Sequence, residues 1–365
     1  MSLEKTGHES VEAMIAEKIK LEGDIAFEDF MSISLYTKGL GYYLNKKKKT
    51  GKSGDFYTSV SVGSAFGSLL AEFFRRFKEH MANPKPFLMV EQGANDGELA
   101  NDILRYFQQV GELSEVEYWI VEPSSSLQHH QKEQLQKYGF VDQVKWYSCF
   151  EEIEDNSIQG VFFSNELVDS FPVKLVVYRH GQWMEKRVTR VDGSFKFKET
   201  TLRDLSTLEY IKRWKLPAIE GYQGEVCLGV RRWVKQVASK IKEGLFLTID
   251  YGSKAESLYA PGRGHGTIRA YRNHQQKDEL LSYAGEQDLT AHVNFSQIIE
   301  EGKASGLEFQ DYRDQHQALI TMAKHRLLKM ETSGGPIDQK FLRQFKTLTH
   351  PEIMGSQFKF LSMVK

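Results

Sequence analysis

The chain lacks most of the features that settle a protein's class at a glance. Its two cysteines, Cys149 and Cys227, offer neither a disulfide framework nor a metal-ligand spacing. They suit a reducing compartment, where each reads as a small buried hydrophobe. No charge sign is in excess: 48 Lys and Arg against 49 Asp and Glu leave a formal charge of -1. That balance argues against nucleic acid or a membrane surface as the main partner. Long hydrophobic runs are missing too. Stretches such as Leu245-Phe246-Leu247 fall far short of the ~20 apolar residues of a spanning helix, so membrane insertion is not expected. The N-terminal "MSLEKTGHES" has neither a signal-peptide core nor an Arg-rich presequence. A cytoplasmic protein of bacterial type is expected, or a mitochondrial matrix protein if a leader has been cleaved. Repeats and low-complexity linkers are also lacking.

What is there is an ordinary globular composition, 40% hydrophobic and 27% charged over 365 residues. Residues 9–35 have helical periodicity. Then "GLGYYLNKKKKTGKSGDFYTS" interrupts with glycines and a lysine run (46–49), which reads as a solvated loop. From residue 87 short apolar strands alternate with helices: "FLMV" (87–90), "YWIV" (118–121), "VKWY" (144–147), "GVFFS" (160–164) and "LFLTID" (245–250). This order predicts a mostly parallel sheet covered on both faces. Between the fourth and fifth strands, alternating segments broken at His180-Gly181 and Asp192-Gly193 predict an inserted β-meander. A helix over about 228–242, the helix "FSQIIEEGKASG" and the strands "LEFQDYRD" and "QFKFLSMV" complete the reading.

The first strand runs into "EQGANDGEL" (91–99) and then a helix. Such a turn brings backbone close to a ligand and points helix amides at it. Gly93 and Gly97 tolerate φ > 0, and Asn95 is the side chain best suited to the left-handed region. The loop is not a G-x-G-x-x-G, and its acids Glu91, Asp96 and Glu98 would repel a pyrophosphate. Taken alone, it is also compatible with a purely structural strand-turn-helix. Glu122, at the end of the second strand, is placed to accept hydrogen bonds from a ribose diol. Together the two favour a nucleoside ligand bearing positive charge, as S-adenosylmethionine does.

A third feature is "SNELVDSFPV" (164–173), at the ligand edge of the sheet after the fourth strand. Asn165, Glu166 and Asp169 read either as a capped helix start or as a substrate-positioning loop. His265, His274 and His292 are too irregularly spaced for a helix-borne metal site, and no metal is expected. Asp250 admits both a turn-capping and a site role, while Phe162, Phe163 and Phe246 read as strand core.

At this point the chain resembles the MidA-like class I methyltransferases, a family that includes the mitochondrial arginine methyltransferase assisting respiratory complex I assembly. The resemblance rests on "LYTKGLGYY", "SGDFYTS", "FGSLLAEFF", "VEQGANDGELANDIL", "VEPSSSLQHHQ", "NELVDSFPV", "IDYG", "GTIRAYRNH" and "DLTAHVNF", in order from about residue 11 to 360. It implies an α/β, Rossmann-like class I methyltransferase sheet of seven mostly parallel strands. A helical N-terminal extension and lid (1–80) would precede the methyltransferase domain (81–365), with an insertion over about 174–226. S-adenosylmethionine would be the methyl donor. Glu91, Gly93, Asn95 and Gly97 would form its loop, Glu122 would hold the ribose, and Gly54 to Ser59 would fold over it, with Asp55 and Thr58 as contacts. Relatives carry Gly where Asn95 stands and Pro-Gly where Ala284-Gly285 stand.

Methyl transfer from a sulfonium mainly requires alignment and exclusion of water. An arginine acceptor is best held by carboxylates through paired hydrogen bonds. Glu166 and Asp169 are the first candidates and Asp288 the next, with Tyr57 and Asn165 orienting the acceptor nitrogen. The resemblance thus implies protein-arginine methylation as the activity, with a protein acceptor such as a respiratory complex subunit. The competing readings are a donor-binding assembly factor without catalysis and, behind it, a nicotinamide dehydrogenase. The oligomeric state is not legible.

Overall fold

The computed structural model describes residues 10–45, 58–272, 275–332 and 338–365. The lysine run, residues 54–57 of "GDFYTS" and His274 lie outside them. The chain divides into two compact units. The sheet unit comprises Tyr57–Leu167, Trp233–Gly252 and Ile298–Lys365; the hairpin unit comprises Met1–Phe56, Val168–Arg232 and Ser253–Gln297.

In the sheet unit, β1 (Phe87–Gln92), β2 (Val116–Val121), β3 (Val144–Tyr147), β4 (Ile158–Asn165) and β5 (Ile241–Ser253) pair in parallel. Two late strands, β6 (Glu308–Asp314) and β7 (Phe358–Val364), complete the main path in the order β6-β7-β5-β4-β1-β2-β3. Strand β7 lies antiparallel to both of its neighbours. The central strands are buried along nearly their whole length, as parallel strands covered on both faces must be. Helix α1 (Ala65–His80) sinks Phe66, Leu69, Leu70 and Phe74 into this core, and α2 (Glu98–Gln109) sinks Leu99, Ile103, Leu104 and Phe107. Both stripes recur at three and four residues, the period of one helix face. Phe162, Phe163 and Phe246 are fully buried strand residues.

Helix α1 contacts α2 and belongs to the sheet unit, whereas the family resemblance implies an N-terminal extension reaching residue 80. The physical reason is its apolar stripe, which needs the sheet core for cover.

The hairpin unit is assembled from three separate segments. Helices Val11–Glu22 and Phe27–Tyr36 bury Ile15, Phe27, Phe30 and Met31 against Leu175 and Val188 of the inserted strands and Val173 just before them. The strands Lys174–Arg179, Gln182–Val191 and Ser194–Thr201 form the expected meander. Its two turns fall at His180-Gly181 and Asp192-Gly193, all four residues at positive φ. That is the backbone a two-residue hairpin turn demands. The unit then reaches beyond residue 226, recruiting strands Arg269–Arg272, Gln275–Lys277 and Asp288–Thr290. Gly285 stands at φ 84, where a Cβ would lie 2.7 Å from Val11 Cγ2, so the glycine is required; Ala284 is simply buried in the apolar cluster.

Candidate active site

The loop after β1 is built by three left-handed residues: Gly93 (φ 84), Asn95 (φ 44) and Gly97 (φ 78). Gly97 N–H donates to Ala94 O at 2.8 Å, and Gly97 is the N-cap of α2. Asn95 thus adopts the conformation anticipated for it. A Cβ on Gly93 would meet Leu167 Cδ1 at 3.2 Å. The loop following β4 therefore crowds Gly93 closely enough to favour hydrogen there. Because Asn95 is exposed, Asn95→Gly should leave affinity for S-adenosylhomocysteine unchanged or improved, by titration calorimetry. A tenfold loss would show that the amide side chain touches the ligand.

Glu122 follows β2 with 6% of its surface exposed. Its Oε1 accepts from Ser124 N–H at 2.8 Å, and Ser124 also caps helix α3 (Ser125–Lys137). Burial pushes the Glu122 carboxyl up to about 7, against the pull of the Ser124 amide and the Gln131 side chain. Gln131, fully buried on α3, donates to Asn95 O at 2.8 Å and accepts from Trp146 Nε1 at 3.0 Å. One side chain thus ties the loop to α3 and β3. Sequence reasoning missed it, although "SLQHHQ" is part of a quoted motif. Glu91 is not on the loop's surface: it is buried near the end of β1, accepts from Tyr118 OH at 2.6 Å, and is pushed up to about 7 by burial. Asp96 is half-buried, 3.5 Å from His130 Nε2, and Glu98 is exposed.

At the end of β4, Asn165 caps no helix. Its Nδ2 donates to Glu166 Oε1 at 3.1 Å, while its buried Oδ1 has no hydrogen-bond partner among the described residues. Glu166 sits at φ 52, its N–H donating to Ile249 O at 2.9 Å. Asp250, fully buried on β5, accepts from Leu167 N–H at 3.2 Å and from Tyr251 N–H at 2.9 Å. Asp250 is thus the clamp that holds the turn carrying Asn165 and Glu166. Thr58 uses its hydroxyl to accept from Ser61 N–H at 3.2 Å, capping a short turn. Asp55 and Tyr57 lie outside the described residues.

Asp169 and Asp288 belong to the hairpin unit, where the structure groups them around two tyrosines. Tyr43 OH donates to the Asp288 carboxylate, with distances of 2.8 and 2.9 Å to its oxygens, and Asp288 also accepts from Leu289 N–H at 2.8 Å. Tyr36 stacks on Tyr43 with ring centroids 5.6 Å apart and donates to Ser170 O at 2.8 Å. Ala291 N–H donates to Asp169 O at 2.9 Å. Burial first, then the charges of Asp288 and Asp169, hold the Tyr43 phenol well above its ordinary range. It therefore stays a donor. Tyr36 and Tyr43 went unassigned in the sequence reading, although both stand in "LYTKGLGYY". Tyr43→Phe should destabilise the fold by about 1–3 kcal/mol in denaturant titrations, because it removes the phenol that donates to a buried carboxylate. A neutral result would mean that Asp288 is satisfied without it.

Cys149 and Cys227 are half-buried rather than fully buried as residues. The Cys227 thiol itself is enclosed beside Pro172 O, and burial pushes it up to about 12. His265 and His292 are exposed, and the described residues contain no His, Cys, Asp and Glu group able to hold a metal. No helix among them is long and apolar enough to cross a membrane.

A left-handed glycine turn between a parallel strand and its helix, followed by an acid after the next strand, on a sheet closed by an antiparallel β7, defines a class I methyltransferase fold. The residues fit the donor: Gly93, at φ 84 and with Leu167 Cδ1 3.2 Å from where a Cβ would stand, keeps the turn free of a side chain, and Glu122 is a carboxylate acceptor aligned by Ser124. A family model described as "Putative S-adenosyl-L-methionine-dependent methyltransferase" matches residues 69–313, and the chain belongs to that family. S-adenosylmethionine is its cofactor.

The chain is 27% identical to the mitochondrial protein arginine methyltransferase NDUFAF7 homolog of Drosophila melanogaster, over 98% of this chain and 86% of that protein. It is 28% identical to the mitochondrial protein arginine methyltransferase NDUFAF7 of Danio rerio, over 98% and 87%. Its fold matches the crystal structure of a COG1565 superfamily member from Burkholderia thailandensis bound to S-adenosyl-homocysteine. That match has a TM-score of 0.87 and 27% identity, covering 97% of this chain and 92% of that one.

Proposed function

We propose that this chain transfers the methyl of S-adenosylmethionine to an arginine side chain of another protein. The observation that carries this reading is the set of carboxylates outside the donor loop. Glu166 and Asp169 stand three residues apart on the segment leaving β4, and Asp288 is held by Tyr43. Bound S-adenosylmethionine supplies an already activated methyl. The chain's own residues have to hold the acceptor, and planar guanidinium is the group that paired carboxylate oxygens hold best. A carboxylate beside the acceptor also offsets the cost of bringing that cation to a cationic donor.

The names of the relatives at 27 and 28% identity support arginine as the acceptor. The family resemblance extends the proposal to a respiratory complex subunit as the protein modified. In this reading Glu91, Gly93, Asn95, Gly97 and Glu122 serve the donor. Asn165 orients the acceptor nitrogen through its unpaired Oδ1. Asp55 and Thr58 stay in the proposal as donor contacts, and Tyr57 as an acceptor contact.

The test is incubation of the full chain with labelled S-adenosylmethionine and a cell lysate, with the modified residue identified by mass. Methylated arginine supports the reading. A methylated lysine or carboxylate overturns arginine as acceptor. Tight S-adenosylhomocysteine binding with no transfer to any protein would return the chain to a donor-binding assembly factor.

A further inference from the structure

The hairpin unit contains a cavity of about 320 Å³ that shares no residue with the donor loop. Its walls come from the strands Lys174–Arg179, Gln182–Val191 and Gln223–Val226 and from residues 265–269 and 276–280. Three basic side chains line it: Lys186, Arg269 and Lys277. Two acids face them, and they are not equivalent. Glu225 is buried and already engaged, its Oε1 accepting from Thr267 N–H (2.7 Å) and Ile268 N–H (2.9 Å) and its Oε2 from Thr267 Oγ1 (3.0 Å). It is spent on holding the turn that carries Arg269. Gly266 serves the same turn, at φ 69, where a Cβ would lie 2.4 Å from Glu225 Oε1. Asp278 is exposed.

The basic groups, by contrast, are under-used as donors. The half-buried Lys186 ammonium donates to Gln223 Oε1 at 2.7 Å and lies 4.5 Å from the Phe197 ring centroid. An ammonium has three N–H groups, so two remain. Arg269 donates through Nη1 to Ile268 O, and Lys277 to Gln275 Oε1. Most of the five guanidinium donors and two of the Lys277 donors also remain. The concave wall therefore offers many donors and few acceptors, around a space of small-molecule size.

We propose that this cavity is a second binding site, for a small free oxyanion carrying phosphate or carboxylate groups. Lys186 is its innermost ligand and Arg269 its planar clamp. Burial, with Arg179 adding to it, holds the Lys186 amine below its ordinary range despite the pull of Glu199 and Glu225. An oxyanion at hydrogen-bonding distance would reverse that.

The probes are inorganic pyrophosphate and citrate, titrated calorimetrically into the full chain already saturated with S-adenosylhomocysteine. Saturable binding of at least one probe is expected, and the stronger of the two tells phosphate from carboxylate chemistry. Lys186→Met and Arg269→Gln should each weaken it about tenfold or more, the scale of one charge-assisted hydrogen bond. Both should leave S-adenosylhomocysteine affinity within about twofold, which also reports that each variant is folded. Should Lys186→Met fail to fold, the half-exposed Arg269→Gln carries the test alone. No saturable binding of either probe overturns the site. So does binding that S-adenosylhomocysteine displaces, or that a folded variant leaves unchanged.

Discussion

Glu166→Gln and Asp169→Asn are each expected to lower methyl transfer by about a hundredfold or more, with S-adenosylhomocysteine affinity changed less than about twofold. Both substitutions remove charge and keep shape. In the first, the Asn165 amide can still donate to the carbonyl oxygen of the new side-chain amide, so the turn held by Asp250 survives. Asp169→Asn leaves in place the backbone carbonyl that Ala291 N–H uses. What is lost is the anion that would hold a guanidinium, and a misplaced acceptor nitrogen costs rate steeply. The assay is transfer into the acceptor protein, paired with calorimetry of the demethylated donor. Full transfer by both variants would remove these carboxylates from acceptor binding. A matching loss of donor affinity would place them on the donor instead.

Glu122→Ala is expected to weaken S-adenosylhomocysteine by roughly ten- to a hundredfold, about 1–3 kcal/mol for a lost charge-assisted pair. Unchanged affinity would show that the ribose lies elsewhere. The same carboxyl predicts a pH dependence. With Glu122 titrating at about 7 and only its ionised form accepting both ribose hydroxyls, affinity should rise about tenfold between pH 6 and pH 8. Glu122→Gln should flatten that rise.

The ligand-free fold should move the opposite way. Glu122 and Glu91 sit at about 7 and Asp102 at about 6, all raised by burial above their ordinary carboxyl values. A carboxyl whose folded pKa is raised contributes stability that is present below its unfolded value. That contribution is lost as pH rises through the folded one. Thermal melts should therefore show the free chain less stable at pH 8 than at pH 6, with S-adenosylhomocysteine narrowing the gap. A free chain more stable at pH 8 would mean that these buried acids are ionised without cost.

Local signals, by themselves, determined much of this protein. Alternating apolar strands and helical stripes specified the parallel core, since burial on both faces demands runs such as "FLMV" and "GVFFS". The meander turns at His180-Gly181 and Asp192-Gly193 were legible for the same reason, because a two-residue turn needs positive φ at both positions. The Gly93-Asn95-Gly97 turn and the acid one strand later belong to this class: each depends on residue type and on position along one strand-turn-helix.

Only the tertiary structure decided how those pieces are held. Tyr43 reaches Asp288 across 245 positions of sequence, and Asp250 clamps a turn 83 positions away. Gln131 joins Asn95 to Trp146, and α1 goes to the sheet rather than to the N-terminal helices. No local propensity encodes such pairings. They follow from which buried donor finds which buried acceptor once the core has excluded water. The charge state of Glu91 and Glu122 has the same origin. Their sequence context reads as two anions, but desolvation in the packed chain raises both carboxyls to about 7.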